Sequence, residues 1–156
     1  MRSLIHLAVS AGVTAIVQQQ FTVARRILDV GLVPILEPEV SIDSPEKVEA
    51  EALLMSSILE QLAGLAKHDL IMVKLTLPEM DDFYAEFVGH PNILRVVALS
   101  GGYQRTTANA RLSKNHGVIA RFSRALSDGL LHGQSDEVFN QTLTHSIKTI
   151  FETSIT

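Results

Sequence analysis

Lys74 stands alone in Asp69-Leu-Ile-Met-Val-Lys-Leu-Thr-Leu-Pro78, a run that otherwise reads as a strand buried on both faces. An ammonium in such a place is costly unless it is paired or neutral, and a desolvated lysine with a lowered pKa is the amine that attacks carbonyls. Lys74 is therefore a candidate Schiff-base nucleophile. Imine formation also needs a proton donor close to the oxygen that departs from the carbinolamine. Glu37, on the neighbouring predicted strand and two residues before Glu39, is the candidate donor. A plainer reading of the same residues is a buried salt bridge from Lys74 to Glu37 or Glu39 that serves structure alone.

Two further groups could hold an anion. Ser100-Gly101-Gly102 lies where a predicted strand turns into a helix, so its backbone N–H groups can face a negative charge while the glycines permit close approach. Ser123-Arg124 ends the next predicted strand, and a guanidinium grips phosphate in a fork. His6, His68, His90, His116, His132 and His145 have no spacing suited to metal ligation, and Ser100 has no triad partners that the sequence identifies. Neither a metal nor another cofactor is expected. Asp81-Asp82 and Glu49-Ala-Glu51 read as solvated faces or helix-start charges.

Those residues are positioned by an alternation of short apolar runs and longer amphipathic ones. The spacing of Ile16, Val17, Gln20, Val23, Ala24, Ile27 and Leu28 predicts a helix within 11–30, with Gly31 as its cap. Leu32 to Leu36 predicts a strand that Pro34 weakens. Asp43-Ser44-Pro45 predicts a helix start with Ser44 as cap, and Val48, Ala52, Met55, Ile58, Leu59, Leu62, Leu65 and Ala66 its buried stripe. Strands follow at 70–77, 92–99 and 117–122, with helices at 81–88, 106–112 and 136–151. The last is expected to turn Val138, Leu143, Ile147, Ile150 and Phe151 inward.

Strands alternating with helices mean right-handed crossovers and an α/β fold with parallel strands. About four such units fit either an open doubly wound sheet or half of a (β/α)8 TIM barrel. No Rossmann fingerprint follows any strand, and the polar residues gather at the carboxyl ends of the strands, the face that carries the site in barrel enzymes.

The bulk composition agrees with one folded domain. The chain has 156 residues, 46% of them hydrophobic and 19% charged, which favours a packed core over disorder. A net charge of −4 with scattered Lys and Arg gives no footprint for nucleic acid or an anionic membrane. Cysteine is absent, and no stretch suits a membrane span or a signal sequence, so a cytoplasmic location is expected.

Four segments together resemble the bacterial branch of class I fructose-bisphosphate aldolase: Gly31-Leu-Val-Pro-Ile-Leu-Glu-Pro-Glu-Val40, Met72-Val-Lys-Leu-Thr-Leu-Pro78, Arg95-Val-Val-Ala-Leu-Ser-Gly-Gly-Tyr103 and Ala120-Arg-Phe-Ser-Arg-Ala-Leu126. They come in the family's order, between Gly31 and Leu126. The resemblance implies that Lys74 forms the Schiff base with dihydroxyacetone phosphate and that Glu37 is the general acid/base, with Glu39 a supporting carboxylate near the lysine. It implies that Ser100, Gly101 and Gly102 bind the ketose phosphate, that Ser123 and Arg124 form a second clamp, and that Arg2 contacts phosphate or substrate. The residue that protonates the enamine is left unassigned; the chain's tyrosines are Tyr84 and Tyr103.

A complete barrel needs ~250 residues. The resemblance therefore implies a single domain over 1–156 that corresponds to the C-terminal half of the barrel, with the N-terminal half absent and Met1-Arg2-Ser3 at the end of the family's fourth strand. Open strand edges in such a half predict self-association or pairing with a complementing N-terminal half. A small sugar phosphate is the expected ligand. The competing readings are a non-catalytic half-barrel that binds phosphate or a protein partner, and another Schiff-base sugar-phosphate aldolase.

Overall fold

Eleven elements alternate along the chain in the computed structural model, which describes residues 2–155: β1 (Arg2–Ile5), α1 (Ser10–Leu28), β2 (Ile35–Val40), α2 (Lys47–Leu62), β3 (Ile71–Thr76), α3 (Ala85–Val88), β4 (Ile93–Leu99), α4 (Arg105–Leu112), β5 (Val118–Ala120), α5 (Arg124–Ser127) and α6 (Asp136–Glu152). The strands form one parallel sheet in the order β1-β2-β3-β4-β5. Each strand thus lies beside its sequence neighbours, and the order never reverses as it must in a doubly wound sheet. That leaves the arc of a partial barrel. It has one strand more than the hydrophobic runs predict, because Arg2–Ile5 is too short and polar to register as a buried run.

Alternation along the strands gives the sheet two different faces. Leu36, Val40, Val73, Leu75, Val96, Ala98 and Val118 point to the helices, where they pack with Val13, Val17, Phe21 and Ala24 of α1 and Leu54, Ile58 and Leu62 of α2. Fully burying one such Leu, Ile or Phe contributes roughly 1.5–3 kcal/mol, so this layer supplies most of the stability. The opposite face carries a register row of Arg2, Glu37, Lys74, Val97 and Ile119. Glu37 joins that row because β2 pairs Ile35 with Met72 and Leu36 with Val73, so the next step sets Glu37 beside Lys74. None of these five side chains belongs to the helix-side core.

Several sequence expectations shift. The second strand begins at Ile35 and runs on through Glu37, Pro38 and Glu39, since β1 pairs with all three and supplies a ladder that a run count cannot see. Ser44 does not cap α2; its hydroxyl accepts from Glu46 N at 3.2 Å in a tight turn, and the helix starts at Lys47. The buried face of α2 passes through Lys47, Ala50, Glu51, Leu54, Ile58 and Leu62, while Val48 and Ala52 are exposed. Glu51 is thereby corrected from a solvated charge to a buried one, and its ion pair with Lys47 makes that tolerable.

The inward face of α6 is also rotated. Leu143 and Ile150 are partly buried, but Val138, Ile147 and Phe151 are exposed and Ser146 is the buried residue. Arg105 of α4 explains the rotation: its guanidinium donates to the Ser146 hydroxyl and, at 2.8 Å, to the carbonyl of Asp128, drawing the middle of α6 toward α4. No described helix is long and apolar enough to cross a membrane.

Candidate active site

Polar side chains on β1, β2 and β3 meet on the sheet face away from the helices. Lys74 Nζ donates to Glu37 Oε2 at 2.8 Å, with side-chain exposures of 15% and 27%. Both groups are half-sheltered, so the attraction is stronger than in bulk water while the ammonium still has an open side. One row over, Arg2 holds Glu39 through two parallel hydrogen bonds, Nε to Oε1 and an Nη to Oε2, each 2.8 Å. Glu39 is buried, and this fork supplies the counter-charge it needs. Glu39 therefore faces Arg2, and among the described residues it makes no ion pair with Lys74.

Strand β2 is fixed here by side chains as much as by its ladder. Above the two β2–β3 pairs the Thr76 hydroxyl takes over, donating to Val40 O at 2.8 Å and accepting from Val40 N at 3.1 Å. Thr76 is fully enclosed, which a hydroxyl tolerates because both its donor and its acceptor are used. On the other side the Glu37 N–H is received by the side chain of Gln20, a residue that sequence reading placed only in an apolar stripe.

The anion-binding candidates lie at the ends of β4 and β5. Gly101 and Gly102 both have positive φ, +63° and +122°. A Cβ on Gly101 would fall 2.8 Å from Ile42 Cγ2 and 3.2 Å from Thr76 Cγ2, so glycine is needed here to let the β2–α2 loop close onto the turn. Ser100 is buried beside it. Arg124 opens α5 and lines a polar cavity of about 180 Å³ with Gly102, Tyr103, Gln104, Arg105 and Asp128. Its guanidinium has no ion-pair or hydrogen-bond partner among the described residues. The Ser123 hydroxyl accepts from Arg121 at 2.9 Å, so it is already engaged. No hydrogen bond or ion pair joins these groups to the Lys74–Glu37 pair among the described residues; they follow β4 and β5, whereas Glu37 and Lys74 lie within β2 and β3.

No protein-family model matches the chain. Curated proteins do. Over 156 residues it is 55% identical to a class 1 fructose-bisphosphate aldolase of Synechocystis sp., covering 100% of this chain and 52% of that one. The proteins of the same name from Clostridium acetobutylicum and Porphyromonas gingivalis are 51% and 52% identical, over 100% and 99% of this chain and 53% and 52% of theirs. The chain is homologous to bacterial class 1 fructose-bisphosphate aldolases. It spans about half the length of the curated relatives it matches. A solved fructose-bisphosphate aldolase from Plasmodium falciparum superposes with a TM-score of 0.59 at 16% identity, over 98% of this chain and 53% of that one, which supports the barrel-arc fold.

In this aldolase homologue a second lysine is more deeply buried than Lys74. Lys47 of α2 donates to Glu51 and to Leu77 O at 2.9 Å, and forms an ion pair with Glu79 at 3.2 Å. Glu51 in turn accepts the Glu79 N–H at 3.1 Å, so the exit of β3 is clamped to α2. Burial pushes the Glu51 carboxyl up, against the pull of Lys47. Burial also acts to raise Glu79, but the hydrogen bond from Arg111 and the charge of Lys47 prevail and bring it below the usual carboxylate value. Neither tyrosine is free: Tyr84 is buried and donates to Thr76 O at 3.1 Å, and Tyr103 donates to Glu79 at 3.1 Å under a guanidinium of Arg111 4.6 Å from its ring centre. Sequence inspection missed this cluster because its charges look exposed on a helical wheel; the signal was the i, i+4 spacing of Lys47 and Glu51 beside apolar neighbours.

Proposed function

We propose that Lys74 is a Schiff-base nucleophile toward a phosphorylated ketose and that Glu37 is its proton partner, in the cleavage of fructose 1,6-bisphosphate. The observation that carries this is the 2.8 Å contact from Lys74 Nζ to the Glu37 carboxylate on the row where parallel strands open toward solvent. Transfer of one proton across that contact yields a neutral amine and a carboxylic acid. The amine's lone pair adds to the C2 carbonyl, and the carbinolamine hydroxyl leaves as water with the proton that Glu37 returns. The iminium draws in the electrons of the C3–C4 bond as the C4 hydroxyl loses its proton, which releases glyceraldehyde 3-phosphate. Protonation of the enamine at C3 and hydrolysis then free dihydroxyacetone phosphate and restore Lys74.

In this reading Arg124, with the Ser100-Gly101-Gly102 turn and Ser123, receives one phosphate, and Arg2 approaches the substrate while holding Glu39. The unpartnered Arg124 guanidinium at a polar cavity supports that assignment. A cytoplasmic location goes with this reading. The test is to incubate the folded chain with dihydroxyacetone phosphate and borohydride and map the reduced adduct by mass spectrometry. A modified Lys74 is expected, and a folded sample in which Lys74 stays unmodified sinks the reading.

A second reading, association through the open end of the arc, has its own support. Ile119, Ile147, Phe151 and Ile155 are exposed around a groove of about 640 Å³ between β5 and α6, beside a strand with one unpaired edge. Light scattering that reports a defined oligomer, lost in Phe151→Asp, is the expected result.

A further inference from the structure

We propose that Gln20 is a positioning residue for Glu37, acting from the helix layer through the backbone of β2; this rests on the assignment of Lys74 and Glu37 just given. Gln20 lies in the buried face of α1 between Val17, Phe21 and Ala24, and only 4% of it is exposed. An amide buried among apolar neighbours is retained only where its polar atoms are used. Both ends of this one are: Oε1 accepts the Glu37 N–H at 2.9 Å, and Nε2 donates to the Ser3 hydroxyl at 3.2 Å. One side chain thus ties β1 and β2 together at the row that holds Arg2 and Glu37.

The location follows from strand parity. Ser41 N donates to Ile5 O, so the odd-numbered amides of β2 face β1. At Glu37 the amide is received by the side-chain Oε1 of Gln20. Pro38 follows with no N–H to give, so the Glu37 N–H is the donor that the Gln20 side chain engages at this step of β2. Gln20 fixes the peptide from which the carboxylate springs, and with it the angle at which the carboxylate meets Lys74.

The experiment compares Gln20→Met, which keeps volume and removes both hydrogen bonds, with Val17→Ala, a neighbouring core change that removes none. Imine formation at Lys74 with dihydroxyacetone phosphate is followed by borohydride quench and mass spectrometry across pH. In Gln20→Met the rate at saturating ligand is expected to fall about tenfold, as for a modest misplacement of a reacting group. Its pH profile moves, and the concentration for half-maximal trapping stays the same. Val17→Ala lowers stability without moving the profile. Ser3→Ala slows trapping by a smaller factor and Ser3→Thr restores it; this pair decides the matter if Gln20→Met fails to fold. An unchanged profile in Gln20→Met, or an equal change in Val17→Ala, overturns the positioning role while leaving Lys74 as nucleophile. Wild-type protein that gives no adduct overturns the Schiff-base reading itself, and the role of Gln20 with it.

Discussion

Two lysine–glutamate pairs lie on either side of β3 and serve the molecule differently. Lys47 and Glu51 are 5% and 2% exposed at their side chains, and the Lys47 ammonium is enclosed by three oxygen partners, donating to Glu51 and Leu77 O and pairing with Glu79. Lys74 and Glu37 are 15% and 27% exposed, and Lys74 has one acceptor among the described residues. A carbonyl cannot reach an amine whose every donor is spent within a packed interior. It can reach one that keeps an open side and a single partner able to take its proton. Burial alone would rank Lys47 as the reactive lysine, so unspent hydrogen-bonding capacity is the better guide.

The sharpest way to break that comparison is to replace each lysine by methionine. Lys74→Met is expected to abolish borohydride-trapped adduct altogether, with a stability change of no more than about 1 kcal/mol because a single ion pair that solvent still reaches contributes little. Lys47→Met is expected to leave Glu51 as an uncompensated buried charge and to lower stability by about 3–5 kcal/mol in urea unfolding. The double change Lys47→Met, Glu51→Leu recovers much of that loss. Equal stability losses in the two single variants would erase the distinction between the pairs.

A smaller effect separates the carboxylates of the buried cluster by pH. Glu51 is raised, chiefly by burial, so the native state holds its proton more tightly than the unfolded chain. Its contribution is complete below the ordinary value of 4.5 and is lost as pH rises through the raised native value. Glu79 is lowered by Arg111 and Lys47 against burial, so its contribution is present above 4.5 and is lost as pH falls through the native value. Urea titrations across the acid range should show Glu79→Gln losing less stability on acidification than wild type. A steeper loss in that variant would place Glu79 outside the clamp.

The alternation of strands with helices and the meeting of Lys74 with Glu37 were legible because short apolar runs mark buried strands and a charge inside such a run needs a partner on its neighbour. The strand at Arg2–Ile5 was not, since its pairing with β2, and not its own hydrophobicity, makes it a strand. Lys47 and Glu51 were hidden for a related reason: each looks solvated until the other cancels its charge. Gln20 was visible as a polar residue in an apolar stripe, but its two partners are 17 residues away on different strands. On α6, the Ile147 and Phe151 stripe was read as inward, whereas Arg105 turns Ser146 in and leaves those side chains uncovered by this chain. Pattern finds elements, and tertiary hydrogen bonds decide which face of an element is buried.

The smallest expected effect lies at the rim of the buried cluster and tests how far its stiffness extends. Tyr103 gives its hydroxyl proton to Glu79 at 3.1 Å and is pushed up to about 12 by burial and by the Glu79 charge. Tyr103→Phe keeps the ring beneath Arg111 and removes that hydrogen bond, so at neutral pH the loss should be about 1 kcal/mol or less. Above the ordinary phenol value of 10 the sign becomes informative. The native state retains the proton that the unfolded chain releases, so wild-type stability falls as pH rises from 10 toward about 12, and the variant should fall less steeply. Parallel curves for the two proteins would mean that the phenol is solvated in both states, and that the clamp on β3 ends at Glu79 and Arg111.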